Sequence, residues 1–444
     1  MPQLDDQATG PRPASTPAPR RGAARHRSAA ALLASSLLAN VLGYALYIVI
    51  NKTQGAVDVG VVTAILNLAV ITAVPALAAQ LVTARRAARL GRHASDSDLA
   101  GVARGAVRTG ALLGLGGMLL LVLLSPVLTL LLRLDSLAPA LVLAVMLPAS
   151  STTYAMLGHL QGRHEFGRYG VVTVVVNGLR VLAALAATWL GFGAQGLLVL
   201  TLAASFAGLA VAAFFVRRHL RSTTPTPTST GGRSWVRESL AASASTAVVF
   251  VVSNVDVPLA RQVLSEVAAG EYAVLSIFTK AAFWGSAFLA TLFFPAMARG
   301  RSLHGVTVAA LAAAGIGVAA TAAAAALADP LLTLVGGGRY VHHADLVWLF
   351  TAIGSLWAVC QVIIYWGVAT QHPAPRNLAW IVVVGVALGA WLAPTTQVVD
   401  VARILLAGGV ALALGGLFVL LRARTTGRQA PPAQASPTVG PVML

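Results

Sequence analysis

Charge is scarce in this chain, and so is cysteine. Only 10% of its 444 residues are Asp, Glu, Lys or Arg, too few to cover the water-facing surface of a soluble protein of this length. The single cysteine, Cys360, sits inside an apolar run, which excludes a disulfide framework and a thiolate metal cluster. The sequence has no G-x-x-x-x-G-K-[ST], so it carries no P-loop nucleotide motor, and it has neither a zinc-protease His-Glu pattern nor a serine elbow. GLGG (114–117) lies within an apolar run and not after a strand, so its glycines read as helix packing surface.

What fills the chain instead is apolar blocks of bilayer length. Twelve can be marked, near 28–50, 57–82, 105–132, 137–160, 170–190, 194–216, 239–262, 272–297, 304–327, 343–368, 378–394 and 401–421. Roughly 20 apolar residues carry a helix across the hydrocarbon core, and only helices or closed barrels satisfy their backbone there. These runs lack the ten-residue alternation of barrel strands. The sequence therefore predicts an all-α integral membrane protein of twelve transmembrane helices.

The net charge of +17 would suggest nucleic acid in a soluble protein, but its placement says otherwise. With a cytoplasmic N-terminus, 24 of the 31 basic residues fall on the cytoplasmic side. Four (Lys52, Arg133, Arg339, Arg403) fall outside, and Arg180, Arg261 and Lys280 lie within blocks. That is the positive-inside pattern of a multi-pass protein with both termini cytoplasmic. The lipid bilayer is the implied partner and nucleic acid is not. The basic N-terminus followed by an apolar run imitates a signal peptide, but the run is longer than an h-region and reads as a retained first helix.

Residues 1–27 and 423–444, rich in Pro, Ala and Arg, read as disordered cytoplasmic tails. Residues 217–238 read as a cytoplasmic linker between a six-helix lobe at 28–216 and a second at 239–422. The halves echo one another. A shift of 213 residues lays Asp58 on Glu271, Thr63 on Ser276 and Arg86 on Arg299, and SPVLTLLL (125–132) parallels DPLLTLVG (329–336). An even number of crossings gives both lobes the same orientation, so the expected pseudo-twofold lies along the membrane normal.

Ionisable groups inside a bilayer cost about 2.5–3.5 kcal/mol each on insertion scales. Arg180 lies mid-helix with Asn177 one turn before it; the two suit a phosphate or sugar, or a structural bond to a neighbouring helix. Pro258 leaves the carbonyl of Asn254 without its usual donor. Asn254 and Asp256 could thus form an oxygen-rich ion-coupling site, and an ion pair of Asp256 with Lys280 is the plainer alternative. Arg261 is near enough to the outer interface to snorkel. Trp357, Gln361 and Tyr365 form one polar-aromatic stripe, and Asn40, Tyr44 and Tyr47 another; both suit a cavity wall or interhelical bonding. No cofactor or metal is expected; His342 and His343, beside Asp345 in an outer loop, are too weak a pattern to predict a metal site.

GHLQGRHEFGRYG (158–170), NGLR (177–180), LFFPAMAR (292–299), DPLLTLVGGGRY (329–340) and WGVATQ (366–371) resemble the polysaccharide or lipid-linked oligosaccharide flippases. Those belong to the superfamily that also holds the multidrug and toxin extrusion transporters. The resemblance spans roughly 30–422. It implies a non-enzymatic, monomeric, V-shaped transporter that moves a polyprenyl-pyrophosphate glycan outward across a bacterial inner membrane by alternating access. It also implies association with polysaccharide-assembly enzymes and a cationic cavity, and it assigns substrate binding to Arg180 and Lys280. Three rivals stand beside it: a multidrug or metabolite cation antiporter, a membrane-embedded glycan polymerase or ligase, and a scaffold. The antiporter should carry deep acids in the N-terminal lobe, where none occurs. The polymerase should carry a large outer loop, and the longest here, about 328–342, is short.

Overall fold

The computed structural model describes residues 21–90, 95–220, 232–285, 304–370 and 372–425. Among these the chain forms helices and connecting turns, with no strand. The N-terminal lobe holds α1 (Arg21–Thr53), α2 (Ala56–Thr72), α3 (Val74–Arg89), α4 (Asp96–Leu131), α5 (Ala138–Gly162), α6 (Phe166–Trp189) and α7 (Ala194–Leu220). The C-terminal lobe holds α8 (Gly232–Asn254), α9 (Asp256–Val263), α10 (Glu266–Gly285), α11 (His304–Ala326) and α12 (Ala328–Gly336). A 3₁₀ segment (Gly338–Leu346), α13 (Val347–Ala369), α14 (Ala374–Leu392) and α15 (Val398–Thr425) complete it.

Ten helices among the described residues are long and apolar enough to cross a membrane, and the bent α8 span makes an eleventh. The eighth predicted block, 272–297, runs out of the described residues at 286, so twelve spans are not counted. Helix extends beyond three predicted boundaries. It begins at Arg21, it covers 217–220 and 232–238 of the expected linker, and it runs to Thr425. Over 232–238 the cause is packing: the Trp235 ring lies against Gly105 of α4 and under the Arg86 guanidinium, 4.3 Å from the ring centre. The remainder of the linker, 221–231, and the outer parts of both tails lie outside the described residues.

Prolines explain the broken spans. The breaks at Ala73, Val255 and Leu327 each fall within a turn before Pro75, Pro258 or Pro330, where the ring removes a donor and crowds the preceding carbonyl. Glycines set the closest packing. Gly110 and Gly114 of α4 let its backbone lie on Thr152 and Pro148 of α5, and Gly158 and Gly162 of α5 rest on Gln80 and Ala84 of α3. Both pairs have the four-residue spacing that brings membrane helices together. Leu130 (80% exposed), Trp189 (86%) and Leu392 (72%) face outward, as lipid-facing side chains must.

The repeat is visible in the backbone. SPVLTLLL closes α4, DPLLTLVG forms α12, and the residue after each is left-handed, Arg133 at φ 49° and Gly337 at φ 79°. The lobes meet along α2 and α3 of the first and α8, α9 and α10 of the second, with α1 reaching α12. At the outer end α2 and α10 touch through backbone, with Gly270 pressed on the carbonyl of Ala56.

Candidate functional site at the lobe interface

Tyr44 and Tyr47 on α1, Arg180 on α6, Asp256 at the start of α9 and Lys280 on α10 converge where the lobes face each other. Tyr44 donates its hydroxyl to the Lys280 carbonyl across the interface (3.3 Å), and the Tyr47 hydroxyl lies 3.5 Å from Asn67 Oδ1 on α2. The charges of Arg180 and Asp256 both act on the Tyr47 hydroxyl. Five polar side chains spread over 236 positions of sequence thus share one region.

Within it Asp256 is taken. Lys280 Nζ donates to both of its carboxylate oxygens at 3.1 Å and lies 3.3 Å from Ser276 Oγ. The two side chains are 7% and 3% exposed, and each neutralises a charge that neither helix could bury alone. Asn254 turns its amide to the Phe250 carbonyl and Ser253 Oγ, 3.0 and 2.9 Å away, and so away from Asp256. The plainer of the two sequence alternatives is therefore what the geometry displays at Asp256.

Arg180 is different. Its Nε is enclosed and makes no hydrogen bond, and among the described residues it has no ion pair. Asn177 does not join it, because the amide donates to the Thr173 carbonyl one turn back on α6 (2.9 Å). Gln361 is 2% exposed inside the C-terminal lobe, and Tyr365 packs there with Val306, Ala309 and Val362. Among the described residues neither of them bonds to the Tyr44–Lys280 group.

Sequence reasoning passed over two features. The first is a set of arginines that close the outer face. Arg261, 3% exposed and in no sense snorkelling, donates Nε to the Leu132 carbonyl (2.8 Å) and Nη2 to that of Arg133 (3.0 Å). Arg133 donates to the Leu264 carbonyl, and Arg339 to those of Gln54 and Lys52, each at 3.0 Å. The last two contacts are mates under the repeat: the outer end of the third span in each lobe grips the outer end of the first span in the other. The paired echoes at 125–132 and 329–336 were the signal, since they set Arg133 and Arg339 just past equivalent helix ends.

The second lies at the turn between α5 and α6, in the GRHEFGR stretch. Glu165 accepts from Arg218 (2.6 Å) and Arg168 (2.7 Å), and His219 stands 3.5 Å away. Burial works to raise the Glu165 pKa, but the Arg168 hydrogen bond and the His219, Arg218 and Arg168 charges outweigh it and hold the carboxyl below its ordinary value of 4.5. A depressed carboxylate stabilises the fold above its unfolded pKa and loses that contribution as pH falls through the folded one. Glu165→Gln is accordingly expected to cost about 1–3 kcal/mol at pH 7. Thermal midpoints measured from pH 8 downward should show the gap to wild type closing only below pH 4.5.

Residues 106–301 match the family described as polysaccharide biosynthesis protein. No curated protein sequence matches the chain. The fold is shared with an inward-facing multidrug resistance MATE transporter of the MOP superfamily, at TM-score 0.68 and 15% identity over 91% of this chain and 100% of that one. It is shared equally with the lipid II flippase MurJ in an inward closed conformation, at TM-score 0.66 and 12% identity over 88% and 87%. An outward-facing MATE transporter aligns at TM-score 0.51, with 16% identity over 90% and 96%. The chain thus shares the multi-pass helical fold of these transporters, and a segment of it matches the polysaccharide biosynthesis family.

Proposed function

We propose that this protein flips a lipid-linked glycan, a polyprenyl-pyrophosphate oligosaccharide or polysaccharide precursor, to the outer leaflet of a bacterial inner membrane by alternating access. The observation that carries the reading is Arg180, a guanidinium at the lobe interface with no carboxylate partner among the described residues. Asp256 and Lys280 cancel one another, which leaves the region one positive charge in excess. A diphosphate cannot cross hydrocarbon unaided, because burying an unpaired charge costs many kcal/mol. A planar two-donor cation compensates it in place of water, while the prenyl tail stays in lipid. Tyr44 and Tyr47 offer hydroxyls and ring faces to sugars beside it, and the family match to polysaccharide biosynthesis points to the same cargo.

The fold alone equally suits export of cationic compounds, as in a multidrug transporter. Against that reading, Asp58, the acid of α2, lies at the helix's outer start near Gly193, where it cannot receive a cation at the interface. The test is reconstitution into liposomes with a fluorescent polyprenyl-pyrophosphate oligosaccharide, and in parallel with a lipophilic cationic dye. Wild type should move the glycan lipid and not the dye. Loss of a charge-assisted contact worth about 1.5–3 kcal/mol should slow Arg180→Ala by roughly 10- to 100-fold. Equal rates for the two proteins would remove Arg180 from the transport path.

A further inference from the structure

On the outer face of the C-terminal lobe, Glu271 of α10 meets His342 and His343 of the 3₁₀ segment. Glu271 Oε1 lies 3.6 Å from His342 Nε2, and Oε2 lies 3.1 Å from His343 Nε2. One ligand atom from each residue can be chosen so that all three fall within 4.8 Å of one another. We propose that these three residues bind a divalent transition-metal ion of the zinc class.

Three details favour a metal over a plain ion pair. His343 Nε2 is closed off from solvent and 3.1 Å from a carboxylate oxygen, yet makes no hydrogen bond to it. The separations also fit: around an ion with ligands at about 2.0–2.1 Å, neighbouring donors stand roughly 3.3 Å apart, close to the 3.1 and 3.6 Å found here. Lastly, the two imidazoles, with ring centres 4.1 Å apart, each bring an Nε2 to within 3.6 Å of the one carboxylate. Two imidazoles and one carboxylate suit zinc, nickel or copper better than calcium or magnesium. His342, 57% exposed, leaves the remaining positions to water.

The location gives the ion a consequence. The 3₁₀ segment that supplies both histidines also carries Arg339, whose guanidinium holds the Lys52 and Gln54 carbonyls of the opposite lobe. A metal tying this segment to α10 fixes the base of that contact and favours the outward-closed state.

Co²⁺ titration of the tag-free full chain in detergent tests the site through the visible absorption of bound cobalt. Wild type should take up one tightly bound equivalent, and His343→Ala and Glu271→Gln should each weaken it at least tenfold. His372→Ala, a histidine outside the cluster, should bind as wild type does. Wild-type binding no tighter than that of the two cluster variants overturns the site, as does an equal loss in His372→Ala. Spin labels at Asp135 and Glu266, placed in a Cys360→Ala background, read the outer gap. Zn²⁺ should narrow their distance distribution in wild type and leave it unmoved in His343→Ala, and an unmoved distribution in wild type overturns the link to closure.

Discussion

Lys280→Met is expected to destabilise the protein by about 3–5 kcal/mol, because it strands the Asp256 carboxylate in an interior where its side chain is 3% exposed. The loss should be specific to breaking the pair. Replacing both members, Asp256→Asn with Lys280→Met, removes two desolvation penalties together with one attraction. Such double replacements are often close to neutral, so the double variant should recover most of the stability lost by the single one. Thermal unfolding of the four proteins in detergent, followed by tryptophan fluorescence, closes the cycle. A double variant as unstable as Lys280→Met would mean that either residue holds a partner besides the other. Transport by the double variant bears on function as well: continued flipping would show that no coupling ion needs Asp256, and a folded but inactive protein would place Asp256 in the cycle itself.

The second large effect concerns conformation. Arg261→Met deletes two charge-assisted hydrogen bonds to the Leu132 and Arg133 carbonyls, each worth about 1.5–3 kcal/mol. In an outward-open state those carbonyls would meet water, so the substitution costs that state little. The balance between closed and open should therefore move by about two orders of magnitude or more, since 1.4 kcal/mol is tenfold. Spin labels at Asp135 and Glu266 in the variant should gain a longer-distance population absent from wild type. An unchanged distribution would show that the α2–α10 backbone contact at Gly270 and Ala56 closes the outer face without help from arginine.

Much of this architecture was legible because hydrocarbon imposes simple rules. Span positions followed from apolar length, the two-lobe division from the polar midpoint, and the matched helix ends from a short echo in sequence. Boundaries were less legible, because a helix continues past the hydrocarbon wherever something packs on it, as Trp235 does at 232–238. Arg180, Tyr44, Asp256 and Lys280 were all found by one criterion, a polar group where lipid should be, and the fold gathers them. The same criterion could not reveal which of them are mutually satisfied. The Asp256–Lys280 pairing and the turn of the Asn177 amide onto its own helix depend on rotamers and on how α9 and α10, which carry residues 24 positions apart, are set against each other. It also drew in Gln361 and Tyr365, which lie inside the C-terminal lobe and do not bond to the Tyr44–Lys280 group among the described residues. It did not reach Glu271, and the His342–His343 pair visible in the sequence is joined to it only in the fold, because the carboxylate arrives from a distant helix.

The acceptors of Arg133, Arg261 and Arg339 are all main-chain oxygens, those of Lys52, Gln54, Leu132, Arg133 and Leu264. At these contacts recognition between the two halves is therefore written on one side only. Side chains at those receiving positions are at liberty to drift during evolution without loosening the grip, and correlated substitution between the halves would leave no trace of it. In relatives of this protein, the three guanidiniums would persist while Lys52, Gln54, Leu132 and Leu264 change freely.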